Sequence, residues 1–375
     1  MYNTFKIRSI ISPYNHGLKR LISSSSSESA VNELEKAVIL GGRSRNINNN
    51  NNQSTVKDKT QDQDFRLLDE NIRRAEYLSK NFKDLNKISR LPPNFAKNQY
   101  IQPNGENDLN SIISKFHAPI KYAFAYGSGV FSQGYLNSDT QTDLIFGVTY
   151  PEHWHSINMK YNKDHYSSLR YFGSSVVSKF QEVGAGVYFN PYVEIDGKLV
   201  KYGVVSIDTL VKDLAEWNTF YLAGRLQKPV NILKDDPIVR FWNQQNLRAA
   251  ATLAYANLPD SEPFDEFKFY ENITSLSYRG DLRFKLGAEN PEKIRKIVDN
   301  NFEYFQTYYS PIMKEVIEQK HFVLPPGFTI ENSNKKLEKI IFQSSTAQTL
   351  KGIFTAGVNK SIKYAWAKKM KSRGK

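Results

Sequence analysis

The fold is set by residues 123–129, Ala-Phe-Ala-Tyr-Gly-Ser-Gly, and by the later run 143–146, Asp-Leu-Ile-Phe. The two apolar runs predict strands, with a glycine turn ending the first and a carboxylate heading the second. Gly127 and Gly129 would let backbone N–H groups approach a phosphate, and the Ser128 hydroxyl can add a hydrogen bond. A carboxylate on the next strand can hold Mg²⁺ against the same phosphates. The pattern therefore predicts a site for a triphosphate and a metal.

This order of strand, glycine turn and strand-leading acid resembles the core of the nucleotidyltransferase superfamily. That superfamily usually carries two acids separated by one residue on the second strand, whereas the position two before Asp143 is Gln141. Asp139 could supply the second carboxylate from a longer loop. Glu194 could supply a third, although a solvent-facing strand acid is the more ordinary interpretation. We therefore assign Mg²⁺ to Asp143 and Asp139.

Length and composition allow two globular domains with basic tails. The chain has 375 residues, 40% of them hydrophobic, and 51 Lys and Arg against 38 Asp and Glu give a net charge of +13. Such a surface suits nucleic acid, nucleotide phosphates or anionic lipid, and net charge does not choose among them. The absence of cysteine excludes disulfides, thiolate catalysis and Cys-ligated metals. No apolar run approaches the roughly 18 residues of a spanning helix, so any work on membranes is expected from their surface.

Residues 1–64 are expected to contain a mitochondrial transit peptide and a linker. The first 27 residues contain four basic side chains and no acid, with isoleucines and leucines interleaved and serines at 23–27. Basic, Ser-rich N-termini without acids are typical of transit peptides, and a disordered basic tail is the alternative. The asparagine run at 48–52 lies in a tract too polar to bury itself, which predicts a linker.

Residues 65–236 are predicted to form the first domain, a mixed sheet with helices. Short β-branched and aromatic runs alternate there with helical stretches. The runs at 192–195 and 198–205 flank Asp196-Gly197, a strong hairpin signal because both turn positions tolerate positive φ. The fold class is therefore α+β.

Beyond residue 237 the pattern becomes mostly helical, as in Ile238–Ala256 and Pro291–Lys320, which predicts a second domain to residue 330. The C-terminal segment, 331–375, contains nine basic residues and no acid from Lys339 onward. An ordinary docked helix is one interpretation, and contact with an anionic membrane surface is the favoured one. Its apolar residues recur at every fourth position, namely Leu350, Phe354, Val358, Ile362, Trp366 and Met370.

Further motifs follow the glycine turn in order. They are Trp154-His-Ser-Ile-Asn158, His165-Tyr-Ser167, Gly184-Ala-Gly-Val-Tyr188, Lys201-Tyr-Gly-Val-Val-Ser206, Trp217-Asn218, Ala223-Gly-Arg-Leu-Gln-Lys-Pro-Val230 and Tyr278-Arg-Gly-Asp-Leu-Arg283. This series resembles the mitochondrial phosphatidate cytidylyltransferase family, also known as the translocator assembly and maintenance protein. The resemblance covers roughly Phe65 to Met370 and leaves the first 60 or so residues outside.

The resemblance implies a nucleotidyltransferase domain, a winged-helix-like second domain and a C-terminal membrane-associating segment. It implies CTP and phosphatidate as substrates, Mg²⁺ as cofactor, and a peripheral location on the matrix side of the mitochondrial inner membrane. The products would be CDP-diacylglycerol, for phosphatidylglycerol and cardiolipin synthesis, and pyrophosphate. Two other functions stay open. A nucleic-acid nucleotidyltransferase would fit the basic charge, although no nucleic-acid partner is expected given the lysine-rich C-terminus, and the missing acid before Asp143 would fit a non-catalytic inner-membrane assembly factor.

Basic and polar side chains are expected to complete the site. Arg225 and Lys228 lie in a short segment bounded by Gly and Pro and could hold the triphosphate or the lipid phosphate, or be solvated surface charges. Lys201 lies mid-strand, where either a phosphate or an exposed strand face would satisfy its charge. His155 is expected to contact the nucleotide, since a metal role with His153 lacks a third ligand. The predicted catalytic residues are Asp143, Ser128 and Lys201, and the predicted nucleotide-binding residues are Gly127, Ser128, Gly129, His155, Arg225 and Lys228.

Overall fold

The computed structural model describes residues 95–103, 109–131, 141–259, 261–281, 290 and 292–356. All of them belong to the unit formed by residues 73–375. The predicted transit peptide and linker lie outside the described residues, as do Asp139 and the C-terminal residues 357–375.

A five-stranded mixed sheet frames the site. Its strands are β1 (Tyr122–Tyr126), β2 (Thr142–Val148), β3 (Tyr188–Ile195), β4 (Lys198–Ser206) and β5 (Asn231–Lys234). They lie in the order β3-β4-β2-β1-β5. β2 and β4 are parallel, and the other neighbouring strands are antiparallel. The sheet confirms the mixed topology and the α+β class.

The predicted hairpin is confirmed. β3 and β4 are joined by Asp196 and Gly197, whose φ angles are 50° and 73°, the left-handed conformation that a two-residue hairpin turn requires. β3 begins at Tyr188, four residues before the predicted start. Its register shifts between Asn190 and Val193, where Pro191 cannot donate a ladder hydrogen bond. The strand therefore continues through this irregularity, which lies where the sequence predicted that the strand would begin.

Helices cover the sheet and form most of the described residues beyond it. The predicted helix at 238–256 is confirmed, and Asp236 caps it by accepting hydrogen bonds from the N–H groups of Ile238 and Val239. The predicted stretch 291–320 forms two helices and a π turn, Lys314–Glu318. The first ends where Asn300 and Asn301 donate to carbonyls of its last turn. The helices are α1 (Leu109–Ser114), α2 (Pro151–Tyr161), α3 (Gly173–Glu182), α4 (Ile207–Glu216), α5 (Ala223–Leu226), α6 (Pro237–Ala256), α7 (Glu266–Leu276), α8 (Lys293–Asp299), α9 (Phe302–Met313) and α10 (Ile330–Ala356).

The two faces of the sheet pack into different apolar clusters. Leu144 and Phe146 of β2 pack with Trp154 of α2 on one face. Ile145 lies on the other face, in a cluster that extends to Leu247 of α6 and onward through α7 and α9. Because side chains alternate along a strand, Asp143 shares the face of Ile145. The predicted acid therefore lies on the side of the sheet that packs against the C-terminal helices.

One face of α10 is docked on the fold. Its buried residues recur at spacings of three and four, as expected of a packed helix. The Lys351 ammonium donates to the carbonyls of Gln181 and Val183, at 2.7 and 2.6 Å, where α3 ends. The inclusion of Lys351 among the membrane-facing lysines is therefore wrong, because its ammonium caps the C-terminal end of α3. The buried residues are Ser333, Leu337, Ile341, Ser344, Gln348 and Lys351.

The opposite face of α10 is exposed. Lys335, Lys339, Phe342 and Leu350 lie there, about half a turn away from the buried row. The side chain of Leu350 is 56% exposed. Of the nine predicted membrane-facing basic residues, only Lys339 and Lys351 fall among the described residues. In that part of the chain, no helix has the length and apolar character to cross a membrane.

Candidate active site

Tyr126, Asp143 and Lys201 lie side by side on three adjacent strands. The strand register pairs Tyr126 with Asp143 and Asp143 with Lys201. Residues that are directly opposite in neighbouring strands present their side chains on the same face. The Lys201 ammonium lies 3.0 Å from Asp143 Oδ1, and their side chains are 30% and 27% exposed. The structure thus joins the predicted acid to the predicted lysine at a place that solvent can reach.

The charge on Lys201 is held by its neighbours. Its ammonium also lies 4.5 Å from the centre of the Phe189 ring. Burial lowers the pKa of Lys201, but the Asp143 carboxylate and the Tyr126 phenol oppose this, and the net pKa lies above the usual value. Lys201 is therefore protonated at neutral pH. The sequence left open a phosphate or an exposed strand face for this charge, and the structure gives it Asp143 as a partner on a side chain that is 30% exposed.

The glycine turn after β1 lies directly beside Asp143. Gly127 has a φ of +80°, and a Cβ atom there would lie 3.4 Å from Asp143 Oδ2. The Gly127 carbonyl accepts hydrogen bonds from the N–H groups of Val130 and Phe131 at 3.0 and 2.9 Å, which close the turn. A Cβ atom at Gly129 would lie 2.6 Å from a backbone oxygen. Gly127 thus keeps the space at the carboxylate open, whereas Gly129 permits close backbone packing.

Arg225 extends this group of charges toward the helices. Its guanidinium lies 4.1 Å from the centre of the Tyr126 ring and 5.1 Å from that of Tyr221. A guanidinium over aromatic faces is stabilised by cation–π attraction. Arg225 is therefore fixed next to the row that contains Asp143.

Asp213 of α4, which the sequence analysis did not single out, anchors the loop that leads to Arg225. Its carboxylate is 1% exposed. One oxygen accepts hydrogen bonds from the backbone of Thr219 and Phe220 at 2.9 and 2.8 Å and from the Thr219 hydroxyl at 2.8 Å. The other accepts from the N–H groups of Leu222 and Ala223 at 2.8 and 3.0 Å. Such charge-assisted hydrogen bonds are strong. Asp213 therefore positions the beginning of α5.

Lys228 links α5 to the end of α7. Its ammonium donates to the Gly224 carbonyl and, at 2.6 Å, to the Ser277 hydroxyl. Burial lowers the pKa of Lys228, and the charges of Arg225 and Lys293 lower it further. Lys228 is thus not an ordinary solvated surface charge.

His155 lies on the other face of the sheet, with Trp154. Its Nδ1 lies 2.8 Å from the Tyr166 hydroxyl and its Nε2 lies 2.9 Å from Gln181 Oε1. Burial lowers its pKa to about 4, so the ring is neutral. Both ring nitrogens already have protein partners, and we do not include His155 in the proposed site. Glu194 is exposed on β3.

Asp143 has the chemistry to hold Mg²⁺. Lys201 occupies Oδ1, whereas Oδ2 faces the open side of Gly127. Within the described residues, no three His, Cys, Asp or Glu side chains form a group that could hold a metal. Mg²⁺ commonly uses only one or two carboxylates together with substrate phosphates. One carboxylate beside a turn that phosphates can reach therefore fits this ion.

The comparisons with known proteins agree on one family. The profile of the family described as "Phosphatidate cytidylyltransferase, mitochondrial" matches residues 109–326 and 328–371. A protein of that name from Saccharomyces cerevisiae is 57% identical over 321 residues, covering 84% of this chain and 83% of its own length. One from Schizosaccharomyces pombe is 44% identical, and the match covers 58% of this chain and 56% of its own length. One from Bos taurus is 35% identical, and the match covers 68% of this chain and 92% of its own length.

Proposed function

This chain belongs to the mitochondrial phosphatidate cytidylyltransferase family, and we propose that it transfers CMP from CTP to phosphatidate, giving CDP-diacylglycerol and pyrophosphate. The structural observation that carries the proposal is the Asp143–Lys201 pair beside the Gly127 turn. An acid, a protonated lysine and an open glycine turn suit a triphosphate and its metal.

The substrates need little acid–base assistance. A phosphomonoester has a second pKa near 6, so the phosphatidate phosphate is largely a dianion at neutral pH and is itself the nucleophile. One of its oxygens forms a bond to the α-phosphorus of CTP. The bond from that phosphorus to the oxygen bridging to the β-phosphate breaks, and pyrophosphate leaves with the electron pair. No proton has to move, so the reaction does not require a general base.

The site residues act by position and charge. Asp143, with Asp139 as a second candidate, would hold Mg²⁺, which when bound neutralises charge on the triphosphate. The Gly127–Gly129 turn would offer N–H groups and the Ser128 hydroxyl to phosphate oxygens. The Lys201 ammonium, held beside Asp143, would contact the charge that develops on the reacting phosphates.

The finer fold assignments and the location belong to the same proposal. We assign the sheet and its helices, residues 65–236, to a nucleotidyltransferase domain and the helices of residues 237–330 to a winged-helix-like domain. The protein would work as a peripheral protein on the matrix side of the mitochondrial inner membrane. The exposed side of α10, with Lys335, Lys339, Phe342 and Leu350, supports attachment to an anionic surface, because it combines lysines with large apolar groups.

The test is turnover by purified protein. With CTP, Mg²⁺ and phosphatidate vesicles, we expect CDP-diacylglycerol and pyrophosphate in equal amounts. The Asp143→Asn variant should stay folded and lose activity by orders of magnitude, because the metal carboxylate is removed. One control uses vesicles that lack phosphatidate, and a second control offers an oligonucleotide as the acceptor. Transfer of CMP to the oligonucleotide, or no pyrophosphate from folded wild-type protein, would refute the proposal.

A further inference from the structure

A second group of cations lies beyond Arg225, where α5 meets the end of α7. The Lys228 and Lys293 ammonium groups lie 5.6 and 5.5 Å from the centre of the same ring, that of Tyr278. Lys228 is also hydrogen-bonded to Ser277, the residue before Tyr278. Three segments distant in sequence thus bring two ammonium groups to one aromatic side chain.

This arrangement places like charges near one another in a partly buried setting. The positive charges of Arg225 and Lys293 both act on Lys228 and disfavour its protonated form. Lys228, Lys293 and Tyr278 are half-buried, whereas Asp281 of the same turn is buried. Repulsion between cations is relieved when an anion binds among them. The cluster is therefore suited to a multiply charged anion that approaches from solvent.

The cluster is continuous with the active site but distinct from its acid. Arg225 is shared by the two, since its charge acts on Lys228 and its guanidinium lies over the ring of Tyr126, the residue paired with Asp143. The reaction joins two phosphate-bearing substrates, whose reacting atoms must be held close together. The Gly127 turn and Asp143 provide for one phosphate group, and the second needs cations of its own.

We propose that Lys228 and Lys293, arranged around Tyr278, form the binding site for the phosphomonoester group of phosphatidate. This inference rests on the proposed function, and for Lys228 it favours the lipid phosphate over the triphosphate. Two ammonium groups supply donors and charge to the terminal oxygens of the dianion. Arg225, shared by the two sites, would contact the phosphates of both substrates.

The test separates the two substrates. Lys293→Gln removes one cation from a half-buried position, and Arg295→Gln, two residues further on the same helix and exposed, removes the same charge away from the cluster. A water-soluble short-chain phosphatidate excludes effects of membrane attachment. For Lys293→Gln we expect the KM for phosphatidate to rise roughly tenfold to a hundredfold, the value of one charged hydrogen bond. The KM for CTP and all constants of Arg295→Gln should stay near wild type.

Calorimetric titration of the same variants with short-chain phosphatidate gives a readout independent of turnover, and the affinity should fall by the same factor. Unchanged affinity and KM for phosphatidate in folded Lys293→Gln would overturn the inference. A rise in the KM for CTP instead would assign the cluster to the triphosphate and also overturn it. Wild-type protein that binds phosphatidate through Lys293 but makes no CDP-diacylglycerol would refute the proposed function alone.

Discussion

Replacing Asp213 by Asn should destabilise the protein strongly although the change is nearly isosteric. The amide oxygen can still serve the donors of Thr219 and Phe220, but the amide NH₂ then faces the N–H groups of Leu222 and Ala223. Two buried donors lose their acceptor, at about 1–3 kcal/mol each. We therefore expect a loss of about 2–6 kcal/mol in the free energy of unfolding.

The assay is urea unfolding followed by far-UV circular dichroism, with Asp208→Asn as the matched control. Asp208 lies in the first turn of the same helix, where loss of a carboxylate costs about 0.3–1 kcal/mol. If Asp213→Asn costs no more than this control, the hydrogen bonds of the carboxylate do not hold the loop. Asp213→Asn should also lower activity under conditions in which the protein stays folded. The same substitution should lower activity much less when it is made in an Arg225→Ala protein, because Asp213 acts through Arg225.

Three further predictions test other parts of the molecule. Gly127→Val should weaken CTP binding by at least about tenfold in calorimetry, because a branched residue is strained at the φ of +80° and its Cβ atom would already contact Asp143 Oδ2 at 3.4 Å; unchanged affinity would show that the turn does not contact phosphate. The pKa of His155 falls to about 4 on folding from its usual 6.5, so its contribution to stability is complete above pH 6.5 and is lost as the pH falls from 6.5 to 4. Urea unfolding across that range should show a shallower pH dependence for His155→Gln than for wild type, and parallel curves would contradict the assignment. A Phe342→Ser, Leu350→Ser double variant should sediment less with cardiolipin-containing vesicles while its CTP affinity is unchanged; undiminished sedimentation would place membrane contact elsewhere.

Features encoded by adjacent residues could be predicted from the sequence. Asp196-Gly197 specifies its turn through the φ angles that only such residues adopt readily, and Asp236 before Pro237 marks the start of α6. The glycine turn and Asp143 lie at the ends of consecutive strands, as the sequence predicts, because the antiparallel pair β1 and β2 joins segments that follow each other along the chain.

Features that depend on distant contacts could not. Asp143 and Lys201 are 58 residues apart, and nothing in either segment indicates that β2 and β4 are parallel neighbours. Asp213 carried a weak signal, since it interrupts the apolar side of α4 beside Leu210 and Leu214, but its partners appear only when the loop folds back. The motif around His155 singles out this residue, but it does not indicate that the ring nitrogens are hydrogen-bonded to Tyr166 and Gln181.

The parallel pairing of β2 and β4 has a consequence for folding. β1 with β2, and β3 with β4, are antiparallel pairs of segments close in sequence, which can form early because little chain entropy is lost in closing them. Asp143 belongs to one pair and Lys201 to the other. The ion pair therefore forms only when the two pairs join along β2 and β4, so a chain with much of its secondary structure in place still lacks the proposed catalytic centre.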